Sequence, residues 1–340
     1  MVKEIEEIMR YYLLFYGEHV TIFIDKITAS YYNKKKKGEP NMNHVLSAKQ
    51  YTKESLEVLF NLTDDIKNNP QKYAKTLDSK IVATMFYEPS TRTRLSFETA
   101  VLRLGGKIIS TENASANSSG KKGESLEDTV KILQGYADAI VIRHSSDTWP
   151  EEAAQIATVP IINGGAGKGE HPTQALLDVY TIREQRKTLD GVKVAILGDL
   201  LNGRTIHSLL RMVSLYDNVE VYGLSKECFA LPEEYIEMLK ERGIKYKKCT
   251  SFDEIPNDVD VMYHTRIQSE RFEGDFGREE FIINKKVLNR FSDNTIILHP
   301  LPRNEEISTD IDDDPRAFYF KQAHNGLYVR MALFVQAFEK

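Results

Sequence analysis

From residue 43 onward, the sequence alternates between short runs rich in β-branched residues and longer segments in which apolar residues recur every three or four positions. This alternation is typical of successive strand–helix units, whose strands pair in parallel because each helix crosses over the sheet. It predicts an α/β fold with doubly wound parallel sheets. The predicted strands are residues 81–87, 107–110, 139–143, 159–162, 192–197, 219–223, 261–263 and 295–298. The predicted helices are residues 56–67, 91–104, 126–136, 174–186, 205–215 and 232–242.

Eight predicted strands are too many for one mononucleotide-sized sheet, so the sequence predicts two α/β domains with the active site in the cleft between them. The best boundary follows the predicted helix at 174–186. The expected divisions are a poorly ordered or accessory N-terminal extension (1–42), a first domain (43–187), a second domain (188–314) and a C-terminal helix that packs back on the first domain (315–340).

The charge balance limits the classes of partner. Lys and Arg number 45 against 50 Asp and Glu, for a formal net charge of −5. A nucleic-acid binder would have an overall basic field, so we expect no nucleic-acid partner, and any anion must be held by locally clustered cations. The early apolar run at 11–16 is far shorter than the roughly 20 residues that span a bilayer, which predicts no membrane partner.

The N-terminal residues and the cysteines indicate a reducing compartment. Glu4, Glu6 and Glu7 precede the first apolar run, unlike the basic start of a signal peptide or an acid-poor transit peptide, and this predicts a cytoplasmic protein. Cys228 and Cys249 are not part of a C-x-x-C pattern and have no paired histidines beside them. We therefore expect neither a disulfide framework nor a bound metal.

A first candidate anion site follows the predicted strand 81–87. Residues 88–94 read E-P-S-T-R-T-R and lead into a helix, so three hydroxyls and two guanidinium groups surround a helix N-terminus. The unpaired N–H groups of a first helical turn and the positive end of the helix dipole favour phosphate, and arginine adds bidentate donors. The alternative is structural, with Ser90 as an ordinary N-cap and Arg92 and Arg94 on a solvated face.

A second candidate anion site is the string G-D-L-L-N-G-R-T at 198–205, after the predicted strand 192–197. Its spacing matches a nucleotide P-loop except that Arg204 replaces the lysine. A planar guanidinium does not substitute for an ammonium between two phosphates, so a carboxylate is the favoured ligand of Arg204 and a P-loop is the alternative.

Other polar residues follow predicted strands or lie in loops. Arg143, Arg266 and His299 come where strands end, which is where open α/β sheets bind ligands. Such polar residues have structural explanations when taken alone: His171, before a proline, as a helix-start residue, Lys121 and Lys122 as a solvated loop, and Arg303 as a surface ion pair. Together they predict that several cations converge on one cleft of an acidic chain.

Seven strings carry a resemblance to a known family. They are S-T-R-T-R-L-S-F-E at 90–98, G-K-K-G-E-S-L at 120–126, I-R-H at 142–144, H-P-T-Q-A-L-L-D at 171–178, G-D-L-L-N-G-R-T at 198–205, T-R-I-Q at 265–268 and H-P-L-P-R at 299–303. In this order they resemble the catalytic chain of the aspartate carbamoyltransferases, from about residue 43 to the C-terminus. Residues 1–42 have no counterpart in the resemblance.

The resemblance implies transfer of a carbamoyl group from carbamoyl phosphate to the amino group of L-aspartate, in pyrimidine biosynthesis, without a cofactor or a metal. It also implies that the first domain binds carbamoyl phosphate and the second binds aspartate. No residue is an obvious general base, and the resemblance requires none, because the departing phosphate can take the amine proton. Positioning and electrostatics must then supply most of the acceleration.

By the same resemblance, each site residue receives a role. The implied ligands of the phosphate are Ser90, Thr91, Arg92, Thr93 and Arg143. The implied donors to the carbamoyl oxygen are Arg143, His171 and Thr93. The carbamoyl amide is assigned to Gln174 and the backbone of Pro300 and Leu301. The aspartate ligands are Lys122, Arg204, Arg266 and Gln268. Ser118 and Lys122 come from a neighbouring subunit of a homotrimer, and the implied catalytic residues are Arg143, His171, Thr93 and Lys122.

Two rival functions stay open. An ornithine-type carbamoyltransferase would share the S-T-R-T-R site, but Arg266 would repel the ammonium of ornithine, and His299-Pro300-Leu301-Pro302 lacks the cysteine of that branch. A catalytically silent homologue that only binds phosphate ligands is the second rival. The sequence indicates neither a regulatory partner nor the mode of regulation.

Overall fold

The computed structural model describes residues 44–114, 123–167, 169–266 and 281–339, so the predicted extension at 1–42 lies outside the described residues. The strands in the described ranges are β1 (Ile81–Phe86), β2 (Lys107–Glu112), β3 (Ala139–His144), β4 (Ile161–Ala166), β5 (Lys193–Leu197), β6 (Glu220–Leu224), β7 (Lys245–Cys249), β8 (Val261–His264) and β9 (Ile296–Leu298). The α-helices are α1 (Lys53–Asn68), α2 (Pro70–Tyr73), α3 (Thr91–Arg103), α4 (Leu126–Leu133), α5 (Trp149–Ile156), α6 (Pro172–Arg186), α7 (Arg204–Val213), α8 (Glu233–Glu241), α9 (Lys285–Leu288) and α10 (Tyr319–Phe338).

The strands form two separate sheets, of order β2-β1-β3-β4 and β7-β6-β5-β8-β9, and all their pairs are parallel. This confirms the predicted α/β class with two parallel sheets. The earliest strand of each sheet lies inside it, with the next strand on one side and a later one on the other. The loops that follow β1 and β3, and those that follow β5 and β8, therefore diverge and leave a crevice at the carboxyl ends of these strands.

The central strands are buried on both faces, as parallel sheets covered by helices require. All residues of β4 and β8 are buried, and so are all residues of β1 after Ile81. The sequences of β1 and β8 are accordingly near-continuous apolar runs rather than alternating ones. Each fully buried aliphatic side chain stabilises the fold by about 1.5–3 kcal/mol.

Helix α6 is the centre of the molecule, because it packs against α7 on one side and against α10 on another. Its first eleven residues, Pro172 to Ile182, are all buried, including polar ones. A helix that is buried all round must satisfy its polar side chains internally. Gln174, Asp178 and Thr181 do so by hydrogen bonds within α6 and to α10 and the second sheet, whereas the Thr173 hydroxyl makes no hydrogen bond within the described part of the chain.

Four elements were absent from the sequence-based prediction, namely β7, α2, α5 and α9. Helices α2 and α9 have only four residues each, too few to show a helical period. Strand β7 is an edge strand whose Lys245, Lys247 and Lys248 are exposed, and charged residues on a sheet edge hide the apolar pattern of a strand while they discourage pairing with other chains. Helix α5 has only eight residues, too few to show a clear helical period, although Pro150 in its first turn is a helix-start signal.

The last helix, α10, packs against α1, α3 and α6. It carries buried apolar residues along its C-terminal half and buried polar residues, Gln322 and Asn325, nearer its start. Among the described helices, α10 included, none has both the length and the apolar character that crossing a bilayer requires.

Candidate active site

The loop after β1 leads directly into the N-terminus of α3. Ser90 is in the N-cap position, but its side chain makes no capping hydrogen bond. Thr91 and Arg92 are exposed, whereas Thr93 is buried. Because the first-turn N–H groups have no intrahelical partner, this helix start has the donors and the positive dipole end of an anion site.

Within the described residues, Arg94 makes structural ion pairs, unlike Arg92 two residues earlier. Its Nη1 lies 3.1 Å from Glu98 Oε1 and its Nη2 lies 3.1 Å from Glu112 Oε2. Arg94 therefore ties α3 to β2, whereas Arg92 lines the cleft.

Arg143 is on β3, which neighbours β1, so its side chain comes close to the same loop. Its Nε lies 3.5 Å from Glu88 Oε2. Burial and the nearby Arg204 lower the pKa of Arg143 to about 10, with Glu88 opposing both. The guanidinium is still charged at neutral pH, but part of its charge is uncompensated, which favours an incoming anion.

His171 is the N-cap residue of α6 and is buried. Its backbone N–H donates to Ser208 Oγ of α7 at 3.1 Å, while its Nδ1 makes no hydrogen bond within the described part of the chain. Burial holds the pKa of His171 well below its usual value, and Arg143, Arg204 and Arg330 add to this. The ring is therefore neutral at pH 7 and can donate one hydrogen bond into the cleft.

Two arginines reach the cleft from the second sheet. Arg204 is the first residue of α7; its Nη1 donates to the carbonyl of Gly167 and lies 3.8 Å from Glu88 Oε2. Arg266 follows β8 and lines the same cleft. The two sheets thus contribute cations to a shared space.

The loop after β9 closes another side of the cleft with His299, Pro300 and Leu301. His299 Nδ1 accepts the backbone N–H of Leu301 at 2.8 Å, so the ring proton is on Nε2, which lies 2.9 Å from Glu306 Oε1. This bond pattern holds the ring neutral, in agreement with burial, which lowers the pKa of His299. The imidazole thereby fixes the backbone of the loop at Leu301, whose φ is +58°.

A buried hydrogen-bond network supports the cleft from below. Asp178 Oδ1 accepts from Gln174 Nε2 at 2.9 Å and from Gln322 Nε2 at 2.6 Å, and its Oδ2 accepts from the Tyr263 hydroxyl at 2.8 Å. Gln322 Oε1 in turn accepts the backbone N–H of His299 at 2.8 Å. Burial raises the pKa of Asp178 to about 7, although the three donors oppose this. One carboxyl group thus orients Gln174, which faces the cleft, together with residues of the second sheet and α10.

The sequence analysis missed Arg330, a cleft-lining residue of α10. It is 3 % exposed, and its guanidinium carbon lies 4.8 Å from the ring centroid of Phe97. Burial lowers the pKa of Arg330 to about 10, with Asp178 opposing. The available signal was an arginine inside the otherwise apolar run Y-V-R-M-A-L-F at 328–334, because a charge in a buried helix needs a partner.

The cleft has a volume of about 490 Å³. The sequence-predicted residues that line it are Ser90, Thr91, Arg92, Thr93, Arg143, His171, Gln174, Arg204, Arg266, Pro300 and Leu301. Three others, Ser118, Lys122 and Gln268, lie outside the described residues. Arginines from β3, from α7 and from the segments after β1 and β8 thus face one space rather than unrelated surfaces.

Comparison with known proteins agrees with this arrangement. Residues 43–184 match the family described as aspartate/ornithine carbamoyltransferase, carbamoyl-P binding domain, and residues 190–337 match its Asp/Orn binding domain. A relative from Pisum sativum, named aspartate carbamoyltransferase 3, chloroplastic, is 44% identical over 301 residues, which are 86% of this chain and 76% of that protein.

Solved structures agree as well. The catalytic subunit of Methanocaldococcus jannaschii aspartate transcarbamoylase is 44% identical with a TM-score of 0.82, covering 87% of this chain and 98% of that one. Aspartate transcarbamoylase from Trypanosoma cruzi, in complex with carbamoyl phosphate and aspartate, is 34% identical with a TM-score of 0.80, covering 86% and 94% of the two chains.

Proposed function

This chain belongs to the aspartate/ornithine carbamoyltransferase family, and from that premise we propose that its cleft transfers the carbamoyl group of carbamoyl phosphate to the amino group of L-aspartate. The products are N-carbamoyl-L-aspartate and phosphate, and the reaction is a step of pyrimidine biosynthesis. One observation carries the proposal: the helix start at 90–93 and arginines from both sheets line a single cleft. Two anionic substrates need several cations there, because like charges repel strongly at close range.

The phosphate group is assigned to the N-terminus of α3. The hydroxyls of Ser90, Thr91 and Thr93 and the first-turn N–H groups supply hydrogen-bond donors, and Arg92 and Arg143 supply charge. The absence of a side-chain cap at Ser90 supports this assignment, since the first-turn donors are not used by the Ser90 hydroxyl. A phosphate oxygen would take the position that a capping oxygen usually occupies.

The carbamoyl oxygen is assigned to Arg143, His171 and Thr93. The amine nitrogen attacks the carbamoyl carbon, the bond from that carbon to the phosphate oxygen breaks, and the departing phosphate takes the amine proton. Negative charge builds on the carbamoyl oxygen during the attack, so donors held in place beforehand lower the barrier. Gln174, oriented by Asp178, and the backbone of Pro300 and Leu301 are assigned to the carbamoyl amide.

The aspartate carboxylates are assigned to Arg204 and Arg266, with Gln268 and Lys122 as further ligands that the resemblance implies. Arg204 and Arg266 follow neighbouring strands of the second sheet, since β5 and β8 are paired. Two guanidinium groups match two carboxylates and would repel the side-chain ammonium of ornithine.

A homotrimer with shared active sites is also proposed, with Ser118 and Lys122 acting in the neighbouring subunit. Leu95 and Leu102, two helical turns apart on α3, are 47% and 56% exposed, and Ile109 on the edge strand β2 is 39% exposed. Exposed apolar residues on a helix beside a sheet edge support the proposed self-association. Light scattering should give three copies of the 38.9 kDa chain.

Subunit mixing tests the shared site. Trimers that combine Lys122→Ala and Arg143→Ala chains should recover activity, because some sites in the mixture then have neither change. No recovery in mixtures that are verified to be hybrid would contradict a Lys122 that acts across the interface.

We also keep the division into a carbamoyl-phosphate domain (43–187), an aspartate domain (188–314) and a C-terminal helix (315–340) as a proposal. The packing of α10 against α1, α3 and α6 supports its assignment to the first domain.

A cytoplasmic location is proposed with the support of Cys228 and Cys249, which are both free thiols, as a reducing compartment allows. Because the Pisum sativum relative is named chloroplastic, cell fractionation has to decide between compartments.

A colorimetric assay for the carbamoyl-amino-acid product tests the function. Purified protein with carbamoyl phosphate should form N-carbamoyl-L-aspartate from L-aspartate and no measurable citrulline from ornithine. Citrulline formation would instead favour an ornithine-type enzyme. Binding of carbamoyl phosphate without either product, seen by calorimetry, would favour a catalytically silent homologue.

A further inference from the structure

The histidine at the end of β8 contacts two backbone carbonyls that are far apart in sequence. His264 is 1 % exposed. Its Nδ1 lies 2.9 Å from the carbonyl oxygen of Thr265, and its Nε2 lies 2.7 Å from the carbonyl oxygen of Phe281. The ring therefore joins the point where the chain leaves β8 to a point 17 residues further along.

The backbone N–H of Thr265 is also hydrogen-bonded, in addition to its carbonyl. Its backbone N–H donates to the carbonyl of Leu197, at the end of β5, at 3.0 Å, and its hydroxyl lies 3.4 Å from the same oxygen. The backbone on both sides of Thr265 is thus fixed, and the next residue is Arg266, which lines the cleft. The backbone position of Arg266, from which its side chain extends into the cleft, depends on these contacts.

The same contacts reach the loop that carries Arg204. Gly198, the first residue of that loop, has φ of +102°, and a Cβ there would lie 2.1 Å from the carbonyl oxygen of Thr265 and 3.3 Å from Cε1 of His264. A side chain at position 198 would therefore displace Thr265 or the imidazole ring. The two loops that hold Arg204 and Arg266 are packed together at this glycine.

The chemistry of the ring defines what it can donate. Burial lowers the pKa of His264 to about 4, so the imidazole carries one N–H at neutral pH. Depending on which nitrogen has the proton, the ring donates to Thr265 or to Phe281. Buried carbonyl oxygens without a donor are costly, so replacing His264 with an apolar residue should shift the backbone at one or both positions.

We propose that His264 is a positioning residue for aspartate: by donating its single N–H to the carbonyl of Thr265 it places Arg266 for the substrate carboxylate. This inference rests on the proposed function and adds a residue to which the family resemblance gives no role. His264 touches no substrate in this account. Its effect reaches the reaction through Arg266, so it should be visible in aspartate saturation and not in the chemical step.

Three variants test the proposal. His264→Leu should raise the aspartate KM at least tenfold, with kcat and the carbamoyl phosphate KM within twofold of the wild-type values. His264→Asn has an amide nitrogen near the Nδ1 position, and His264→Gln has one near the Nε2 position. Because Thr265 adjoins Arg266, Asn should recover the aspartate KM to within threefold of wild type, and Gln should recover it less.

His44→Leu is the control, since His44 also hydrogen-bonds to the backbone through its ring, although its Nδ1 accepts, from Ile161 N–H of the first sheet at 3.0 Å. This variant should leave the aspartate KM unchanged. If His264→Leu does not fold, the aspartate KM values of the Asn and Gln variants test the proposal. The rise in the melting temperature of each variant with phosphate shows separately whether its phosphate site is intact. A loss of kcat at unchanged aspartate KM, or an equal rise of both KM values, would overturn the proposal. Inactive wild-type protein would instead count against the proposed function.

Discussion

The guanidinium groups of Arg143 and Arg204 approach the same carboxylate oxygen, Oε2 of Glu88, at 3.5 and 3.8 Å. Arg143 is on β3 of the first sheet, and Arg204 begins α7, which follows β5 of the second sheet. Glu88 therefore offsets the repulsion between two cations that come from separate domains. An anionic substrate that binds these arginines competes with Glu88 or takes over its role. Glu88 therefore neutralises the two arginines before the substrate binds, and the anionic substrate does so, wholly or in part, once it is bound.

Glu88→Gln should make the protein more dependent on bound anions. Removing one part-exposed ion-pair partner costs about 1 kcal/mol or less and should lower the melting temperature without phosphate by about 1–3 °C. Phosphate at millimolar concentration should raise the melting temperature of the wild type, and that of Glu88→Gln by a larger amount, because binding to the folded state stabilises it. Differential scanning fluorimetry with and without phosphate measures both effects.

Glu112→Gln is the matched control for this comparison. Glu112 has the same side-chain exposure as Glu88, 37%, and pairs with Arg94 outside the cleft at 3.1 Å. It should lower the melting temperature and leave the phosphate-dependent rise as in the wild type. An equal phosphate response in both variants, or no response of the wild type, would argue against a cationic anion site around Glu88.

Arg143→Ala should lower kcat at least about a hundredfold. The expected loss corresponds to one preorganised donor to a developing oxyanion, about 2.7–4 kcal/mol. The product assay at saturating substrates measures it. Arg290→Ala, which removes a more exposed guanidinium that pairs with Asp253 on the surface, is the control and should keep full activity. A decrease of less than threefold for Arg143→Ala would remove this residue from the mechanism.

Arg266→Ala should act mainly on aspartate binding. Loss of a bidentate cation from a carboxylate weakens the charge-assisted hydrogen bonds to that substrate, so the aspartate KM should rise tenfold or more. The KM of carbamoyl phosphate, whose side-chain ligands are assigned to the first domain, should change less than threefold. Initial rates over a matrix of both substrate concentrations separate the two. Aspartate saturation identical to the wild type would refute the assignment.

The sequence predicted those parts of the fold that depend on local patterns. The buried strands β1, β3, β5 and β8 have continuous apolar runs, and the candidate site residues after them were found because the carboxyl ends of parallel strands form the ligand crevice. Convergence of Arg143 and Arg204 on one cleft followed from this rule together with the motifs. The lysine-rich edge strand β7 was missed because its pattern is dominated by solvent-facing charges.

The supporting network could not be predicted, because its partners are far apart in the chain. Asp178 and Tyr263 are separated by 85 positions, and Asp178 and Gln322 by 144. No local period or motif relates a tyrosine in an apolar strand to a carboxyl group inside a buried helix. Arg330 was missed for the same reason, since only the packing of α10 against α3 and α6 brings it to the cleft.

His171→Gln should show that the imidazole acts in its neutral form. Burial and the nearby arginines hold the pKa of His171 well below 6.5, so the ring does not titrate in the working range. Gln keeps an N–H donor that also does not titrate. The variant should lose about tenfold in kcat, and the ratio of wild-type to variant kcat should stay constant from pH 6 to 8.5. A ring with an ordinary pKa near 6.5 would change this ratio about fourfold toward pH 6.

Tyr263→Phe should destabilise the protein more at pH 8 than at pH 5.5. Burial raises the folded-state pKa of Asp178 to about 7, above its ordinary 3.8, so the folded protein holds this proton more tightly than the unfolded chain does. This group therefore lowers the free energy of unfolding as pH rises from about 4 to 7. At pH 8 the Tyr263 hydroxyl donates to a carboxylate, and its loss should cost about 1.5–3 kcal/mol. At pH 5.5 Asp178 is largely neutral in the fold, and the loss should cost about 0.5–1.5 kcal/mol.

Tyr319→Phe supplies the comparison for that pH dependence. The Tyr319 hydroxyl donates to Asp312, and the hydrogen bond from Arg303 lowers the pKa of Asp312, which keeps this carboxylate charged at both pH values. Its removal should destabilise the protein equally at pH 5.5 and 8. Urea midpoints followed by the fluorescence of Trp149, the single tryptophan, measure both variants. If the destabilisation of the two variants changes with pH in the same way, the raised pKa of Asp178 is wrong. If only the destabilisation of Tyr263→Phe changes with pH, Asp178 takes up a proton in the folded protein near neutral pH.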